Sequence, residues 1–308
     1  MRVSIIGAGN VGATCAQILA FKQIVSKIVL LDIVDGFAEG KAMDIMQCAP
    51  NYGFDSVVTG VTNNYEATKD SDVVVITSGS PRKPGMTRED LVAINTKVVT
   101  DVTSNVLKYS PNAILIIVTN PLDTMAYVAL KKSGLPKNRV IGMGGGLDSA
   151  RFKYYLSKKA NVAINDVDAM VIGGHGDTTM IPLARYANYK GTPFSSLLSK
   201  SDLEDVVKET MVGGATLTKL LGTSAWNAPG ASVASLVDSI LHDRKKLIPC
   251  ATLVEGEYNT KGIFIGVPCI IGKNGIEKVI ELELTDIEKE KFQESVEAIK
   301  KVNSLLDF

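Results

Sequence analysis

The first half of the chain alternates short, continuously apolar runs with longer segments of mixed polarity. Val3–Ile6, Lys27–Leu31, Asp72–Thr77 and Ala113–Val118 are four to six residues long and rich in β-branched side chains. Apolar runs without alternation suit parallel strands covered on both faces. The stretches between them have helical length, so this half reads as repeated strand–helix–strand units. Around Val140–Leu147 the texture changes, with Gly142, Gly144, Gly145 and Gly146 clustered. A domain boundary is expected there, dividing the chain into 1–143 and 144–308. Further on, Val267–Ile271 and Ile276–Leu284 flank Gly272-Lys273-Asn274-Gly275, which predicts a hairpin around an Asn-Gly turn. Near the end, Thr285 and Glu288 stand in capping-box spacing. Ile287, Phe292, Val296, Ile299 and Val302 then predict a last helix with one apolar face.

Composition narrows the classes. The chain has 308 residues, 45% of them hydrophobic, enough for two substantial cores. Its 33 basic and 33 acidic side chains cancel, so no global attraction to nucleic acid or to an anionic membrane is expected. The apolar N-terminus is interrupted by Asn10 and spaced glycines, unlike a signal peptide. The most apolar later window is broken by Asn120, Pro121 and Asp123, unlike a membrane span. Cys15, Cys48, Cys250 and Cys269 occur singly in mostly apolar surroundings, which suits buried thiols of a reducing compartment. A cytoplasmic protein is expected, and no clustered metal-ligand set is evident.

The first strand runs into Gly7-Ala8-Gly9-Asn10-Val11-Gly12, a GxGxxG pattern followed by a helix-compatible segment. Alone this pattern is weak. Here Gly7 permits the tight turn, Gly9 lets backbone approach a pyrophosphate, and Gly12 permits close helix–strand packing. The helix N-terminus supplies N–H groups and partial positive charge to the phosphates. The second strand ends at Asp32, placed to accept both hydroxyls of an adenosine ribose and to repel a 2′-phosphate. NAD is therefore expected over NADP. The fold class implied is α/β: a doubly wound parallel (Rossmann) sheet, then a mixed α/β domain with antiparallel strands.

There are two histidines. His242 sits among charges and reads as a surface residue. His175 lies in Gly173-Gly174-His175-Gly176-Asp177, where glycines leave the ring accessible to a small molecule. Asp148 and Arg151, spaced by three at a helix start, share one face. They could be an exposed ion pair of little consequence. Alternatively Asp148 holds the His175 tautomer and favours its protonated form, leaving Arg151 to grip a carboxylate in a fork. Asn120 follows a predicted strand at its carboxyl end, where such sheets place their sites. The stretch Ser80–Asp90, SPRKPGMTRED, concentrates cations between two prolines and a glycine, as a solvated loop or a lid would.

Six ordered motifs, GAGNVG, Asp32, PRKPGMTRED, TNPLD, LDSARF and GGHGD, carry a resemblance to the lactate/malate dehydrogenase family. It spans essentially the whole chain, including the GKNG hairpin and the last helix, and is greatest to the lactate-dehydrogenase-like malate dehydrogenases. The resemblance implies a dinucleotide-binding domain over 1–143 and a substrate-binding, catalytic domain over 144–308. It implies reversible hydride transfer between nicotinamide and the C2 carbon of a 2-hydroxy acid. His175 becomes the proton donor and acceptor, Asp148 its partner, Arg151 the anchor of the C1 carboxylate, and Arg88 the cation that polarises the reacting carbonyl. Asn120 becomes a donor to the substrate oxygen, and Arg82 stands where a second substrate carboxylate is recognised. Gly7, Gly9, Asn10, Val11, Gly12, Asp32, Asn95, Val118 and Asn120 become cofactor-binding, with NAD as cofactor. The expected substrate is a small dicarboxylate, malate or oxaloacetate, and the expected assembly a homo-oligomer, tetramer or dimer. A lactate or other 2-hydroxy-acid dehydrogenase, or a non-catalytic NAD-binding protein, are the alternatives. One departure stands out. Trp226 and Asn227 occupy positions where relatives show a smaller or tyrosine-containing run, and a Trp226 facing the pocket would narrow it.

Overall fold

The structure, a computed structural model, describes residues 1–81 and 85–307. The first half comprises β1 (Arg2–Ile6), α1 (Asn10–Phe21), β2 (Lys27–Asp32), α2 (Phe37–Gln47), the one-turn α3 (Ala49–Tyr52), β3 (Val57–Thr62), β4 (Val73–Ile76), α4 (Arg88–Tyr109), β5 (Ile114–Ile117), α5 (Leu122–Ser133) and β6 (Val140–Gly142). The second half runs α6 (Gly145–Ala160), β7 (Val167–Asp168), β8 (Val171–Gly173), β9 (Met180–Pro182), β10 (Asn188–Tyr189), β11 (Thr192–Pro193) and α7 (Lys200–Leu221). It ends with α8 (Asn227–Leu241), β12 (Lys246–Glu255), β13 (Lys261–Gly272), β14 (Gly275–Val279) and α9 (Asp286–Asn303).

The first six strands pair in parallel in the order β3-β2-β1-β4-β5-β6, the doubly wound arrangement. Successive strand residues point to opposite faces, and both faces are covered. Ile5, Leu30 and Val75 belong to the core that also holds Leu19 of α1 and Val233 of α8. Ile6, Leu31, Val74 and Ile76 belong to the one that holds Val99 of α4 and Met125 of α5. The strand order reverses between β1 and β4, so the loops after these strands open a crevice at their carboxyl ends. The same sheet continues through antiparallel β12, β13, β8 and β9, which fixes the second half against the first.

Several strands lie outside the apolar-run reading, among them β3, β6 and β12. In β3, polar Thr59, Gly60 and Thr62 break the apolar run, and a Cβ on Gly60 would lie 2.2 Å from the Ala38 carbonyl of α2. β6 is short, and β12 is punctuated by Pro249 and begins exposed. The expected hairpin forms, but β14 stops at Val279 rather than Leu284. Ile280 N still donates to Pro268 O of β13, but Tyr258 Oη donates to Ile280 O and accepts from Leu282 N, so the backbone beyond Ile280 is tied to Tyr258 instead. Helix α9 has its capping box, and Phe292, Val296 and Ile299 are buried. Ile287 is instead 67% exposed, on a first turn ahead of the point where Phe292 stacks on Tyr258. The stretch Ser80–Asp90 is not loop throughout. Thr87 Oγ1 accepts from Asp90 N and Asp90 Oδ2 accepts from Thr87 N, so α4 already begins at Arg88. Arg82 lies outside the described residues. No described helix is long and apolar enough to cross a membrane.

Candidate active site

The glycine turn behaves as the side-chain sterics require. Gly7 has φ of 107°, and a Cβ there would come within 2.6 Å of Thr77 Oγ1. A Cβ on Gly12 would lie 2.0 Å from Gly7 O, so only glycine lets α1 pack this close. A Cβ on Gly9 would meet nothing within 4 Å, which leaves its backbone open to a ligand. Helix α1 has no side-chain cap, so its first N–H groups, including those of Asn10 and Val11, have no side-chain acceptor. An unsatisfied helix N-terminus beside open backbone fits a pyrophosphate. Asp32 ends β2 and accepts from Ala8 N at 2.7 Å through Oδ2 and from Val34 N at 3.1 Å through Oδ1. It thus props the glycine turn at the carboxyl end of β2.

A cleft of about 900 Å³ runs from this turn into the second half, lined among others by Val11, Asn95, Val118, Asn120, Arg151 and His175. Asn95 is buried and works as a clamp. Its Oδ1 accepts from Ser80 N, and its Nδ2 donates to Ser80 O and to Asn120 O at 2.7 Å. It therefore fixes the loop after β4 against the loop after β5. Asn120 itself is exposed in the cleft, its own side chain open to a ligand. Arg88 lines an adjoining cavity of about 490 Å³ that shares Asn120 and His175 with the first.

His175 stands in the connection between β8 and β9, against the start of α6. Its Nδ1 lies 2.8 Å from Asp148 Oδ2, and Asp148 is 1% exposed. A Cβ on Gly144 would sit 3.0 Å from His175 Cβ, so the glycine cluster that marks the change of texture also seats this ring. Burial pulls the imidazole pKa down. The Asp148 charge and hydrogen bond, with the Asp123 charge, more than offset it, and the net shift is upward. Asp148 Oδ1 meanwhile accepts from Arg151 Nη1 at 3.1 Å. The pair is therefore not an exposed ion pair: the buried carboxylate serves both partners, and Arg151 is not wholly free. Gly213 and Gly214 of α7 lie alongside its side chain, where a Cβ on Gly214 would lie 3.4 Å from Nη1, an ordinary contact. Trp226 caps α8, half-buried, while Ser224, Ala225 and Pro229 line the cleft. His242 is placed at the end of α8, sharing Asp238 with Arg244 and Lys246, apart from the cleft.

Two site residues escape the sequence reading. Asp123 Oδ2 accepts from His175 N at 2.9 Å, and Ser295 Oγ accepts from Gly174 N at 2.8 Å. Asp123 belongs to the TNPLD motif, which was a usable signal. Ser295 lies on the last helix with nothing local to mark it.

A doubly wound sheet that brings a dinucleotide cradle beside one carboxylate-held histidine defines an oxidoreductase of the nicotinamide-dependent class. Comparison with known proteins places it more narrowly. Residues 1–142 match the lactate/malate dehydrogenase NAD binding domain, and 146–305 match the lactate/malate dehydrogenase alpha/beta C-terminal domain. The chain belongs to the lactate/malate dehydrogenase family and carries its NAD-binding domain. A malate dehydrogenase of Flavobacterium johnsoniae is 62% identical over 306 residues, covering 99% of this chain and 98% of that one. The solved malate dehydrogenase of Picrophilus torridus superimposes with a TM-score of 0.95 at 46% identity, covering 99% and 96% of the two chains. A lactate dehydrogenase of Cryptosporidium parvum, solved with lactic acid and nicotinamide adenine dinucleotide, gives 0.94 at 36% identity over 99% and 97%. Shape barely separates the two activities, whereas the relatives at 60–62% identity are malate dehydrogenases.

Proposed function

We infer that the chain is an enzyme that interconverts (S)-malate and oxaloacetate with NAD(H). The observation that carries this is the union of His175, Asp148 and Arg151 in the cleft that begins at the glycine turn, in a chain so similar to malate dehydrogenases. A cofactor held at the turn would supply the hydride as NADH in reduction and accept it as NAD in oxidation. The residues do the rest. Arg151 grips the C1 carboxylate with the guanidinium nitrogens that Asp148 leaves available. His175, held at Nδ1 by Asp148, gives a proton from Nε2 to the C2 oxygen in reduction and takes it back in oxidation. Asn120 and Arg88 donate to the oxygen on which negative charge develops. Arg82 meets the second carboxylate, a role supported by the family resemblance alone. Asp32 faces the ribose, and Gly7, Gly9, Asn10, Val11, Gly12, Asn95 and Val118 shape the cofactor's bed.

The same reading divides the chain near 143/144 into a cofactor domain and a catalytic domain. It includes assembly as a homo-oligomer, tetramer or dimer, supported by exposed Phe37, Met43, Tyr52 and Val57 on the outer elements α2, α3 and β3. It also includes residence in the cytoplasm, in the tricarboxylic acid cycle; three buried unpaired thiols suit such a reducing setting. NADH oxidation with oxaloacetate beside pyruvate, at equal concentrations, tests the activity. Faster turnover of pyruvate would assign the lactate reaction instead, and no turnover of either would leave a non-catalytic NAD-binding protein.

A further inference from the structure

Two consecutive backbone N–H groups carry the histidine loop, and side chains from two helices hold them. Ser295 of α9 takes Gly174 N, and Asp123 of α5 takes His175 N. A neutral hydroxyl suffices for the first. The second uses a carboxylate that is 7% exposed and whose Oδ1 has no hydrogen-bond partner among the described residues. A half-satisfied buried carboxylate is destabilising, so its charge calls for a reason that one N–H does not supply. Its position gives one: Asp123 stands behind the same residue whose ring Asp148 holds in front.

We propose that Asp123 is a positioning residue of the reaction, a second carboxylate that fixes His175 through its backbone N–H and favours the protonated ring through its charge. The proposal deepens the functional reading above and rests on it, since it needs His175 as the proton donor. The groups that face Asp123 are His175 from the β8–β9 connection and Asp148, with Arg151 beyond it, from α6. Arg88 of α4 and Asp177 share its cavity of about 490 Å³. Burial pushes the Asp123 carboxyl up to about 6, against the His175 hydrogen bond and charge, and the Asp148 charge adds to the rise. The influence of its charge on the ring is therefore switched on as pH rises through about 6 and absent below.

Asp123→Asn separates the two parts, because the amide oxygen still accepts from His175 N while the charge is gone. We expect its kcat/KM for oxaloacetate to match wild type below the Asp123 titration. Its alkaline limb should shift acid-ward, giving a deficit of roughly 3- to 10-fold near pH 8. NADH affinity, read by fluorescence, should be unchanged. Asp123→Ala removes the acceptor too and should lower kcat about 100-fold at every pH through misplacement of the ring. If that variant does not fold, Asp123→Asn decides alone. A profile for Asp123→Asn that overlays wild type, or that falls uniformly without moving its limb, overturns the proposal. His175→Asn is the control for the reading beneath. Retained turnover there removes the histidine from the reaction and the proposal with it. An inactive His175→Asn beside an unshifted Asp123→Asn removes the proposal alone.

Discussion

His175 Nδ1 and Asp148 Oδ2 are 2.8 Å apart, and the other oxygen of the same buried carboxylate holds Arg151 at 3.1 Å. One carboxylate thus registers the proposed proton donor against the proposed anion anchor. The acid and the grip cannot drift independently, which is what a near-attack geometry needs. Asp148→Asn keeps the size but can donate to the ring nitrogen, favouring the wrong tautomer. We expect kcat to fall by about 100-fold or more with NADH binding preserved. A kcat within about threefold of wild type would mean that Asp148 is only a structural partner.

The raised His175 pKa sets the direction of pH dependence. Reduction consumes the imidazolium, so its kcat/KM holds at low pH and falls as pH rises through the folded value, above the ordinary value of about 6.5. Oxidation needs the neutral ring and rises through the same range. The stability sign agrees: a group with a raised folded pKa stabilises fully below its unfolded value, and that contribution is lost as pH climbs through the folded one. Parallel pH profiles in both directions should show opposed limbs. Limbs of the same sign would place the proton on another group.

Much of this site was legible in sequence because local chemistry marks it. The glycine turn, Asp32, and the Asp148/Arg151 spacing are short-range patterns whose geometry follows from one helix or one turn. What was not legible depends on long-range contacts. Ser295 reaches Gly174 across 121 positions, and Tyr258 ties down the backbone beyond Ile280. The strands β3 and β12 owe their place to neighbours rather than to their own apolarity. Ile287 fits the helical period yet faces water, because periodicity fixes a face and not how far the core extends beneath it.

Substrate choice should hinge on Arg82. Oxaloacetate carries two carboxylates, and Arg151 can grip only one. Arg82→Gln should lower oxaloacetate efficiency about 100-fold and raise that of pyruvate, because a cation with no second carboxylate to meet no longer opposes the methyl group. NADH affinity should stay put. An unchanged oxaloacetate-to-pyruvate ratio would strip Arg82 of this role.

Cofactor choice should hinge on Asp32, and here the structure dictates which variant to make. Asp32 Oδ2 accepts from Ala8 N inside the glycine turn, so Asp32→Ala would remove a strut along with the charge. Its loss of NADH binding would not report ribose recognition. Asp32→Asn keeps an oxygen for Ala8 N and removes the negative charge, giving up only the longer bond that Oδ1 accepts from Val34 N. A carboxylate facing a 2′-phosphate is repulsive and leaves both poorly solvated, while facing ribose hydroxyls it accepts strong, charge-assisted bonds. The variant should therefore lose roughly tenfold in NADH efficiency and gain about as much with NADPH, each tenfold being about 1.4 kcal/mol. Competition measurements with the two cofactors at matched concentration would read the ratio directly. If the wild type already uses NADPH as well as NADH, Asp32 is a strut for the turn and nothing more.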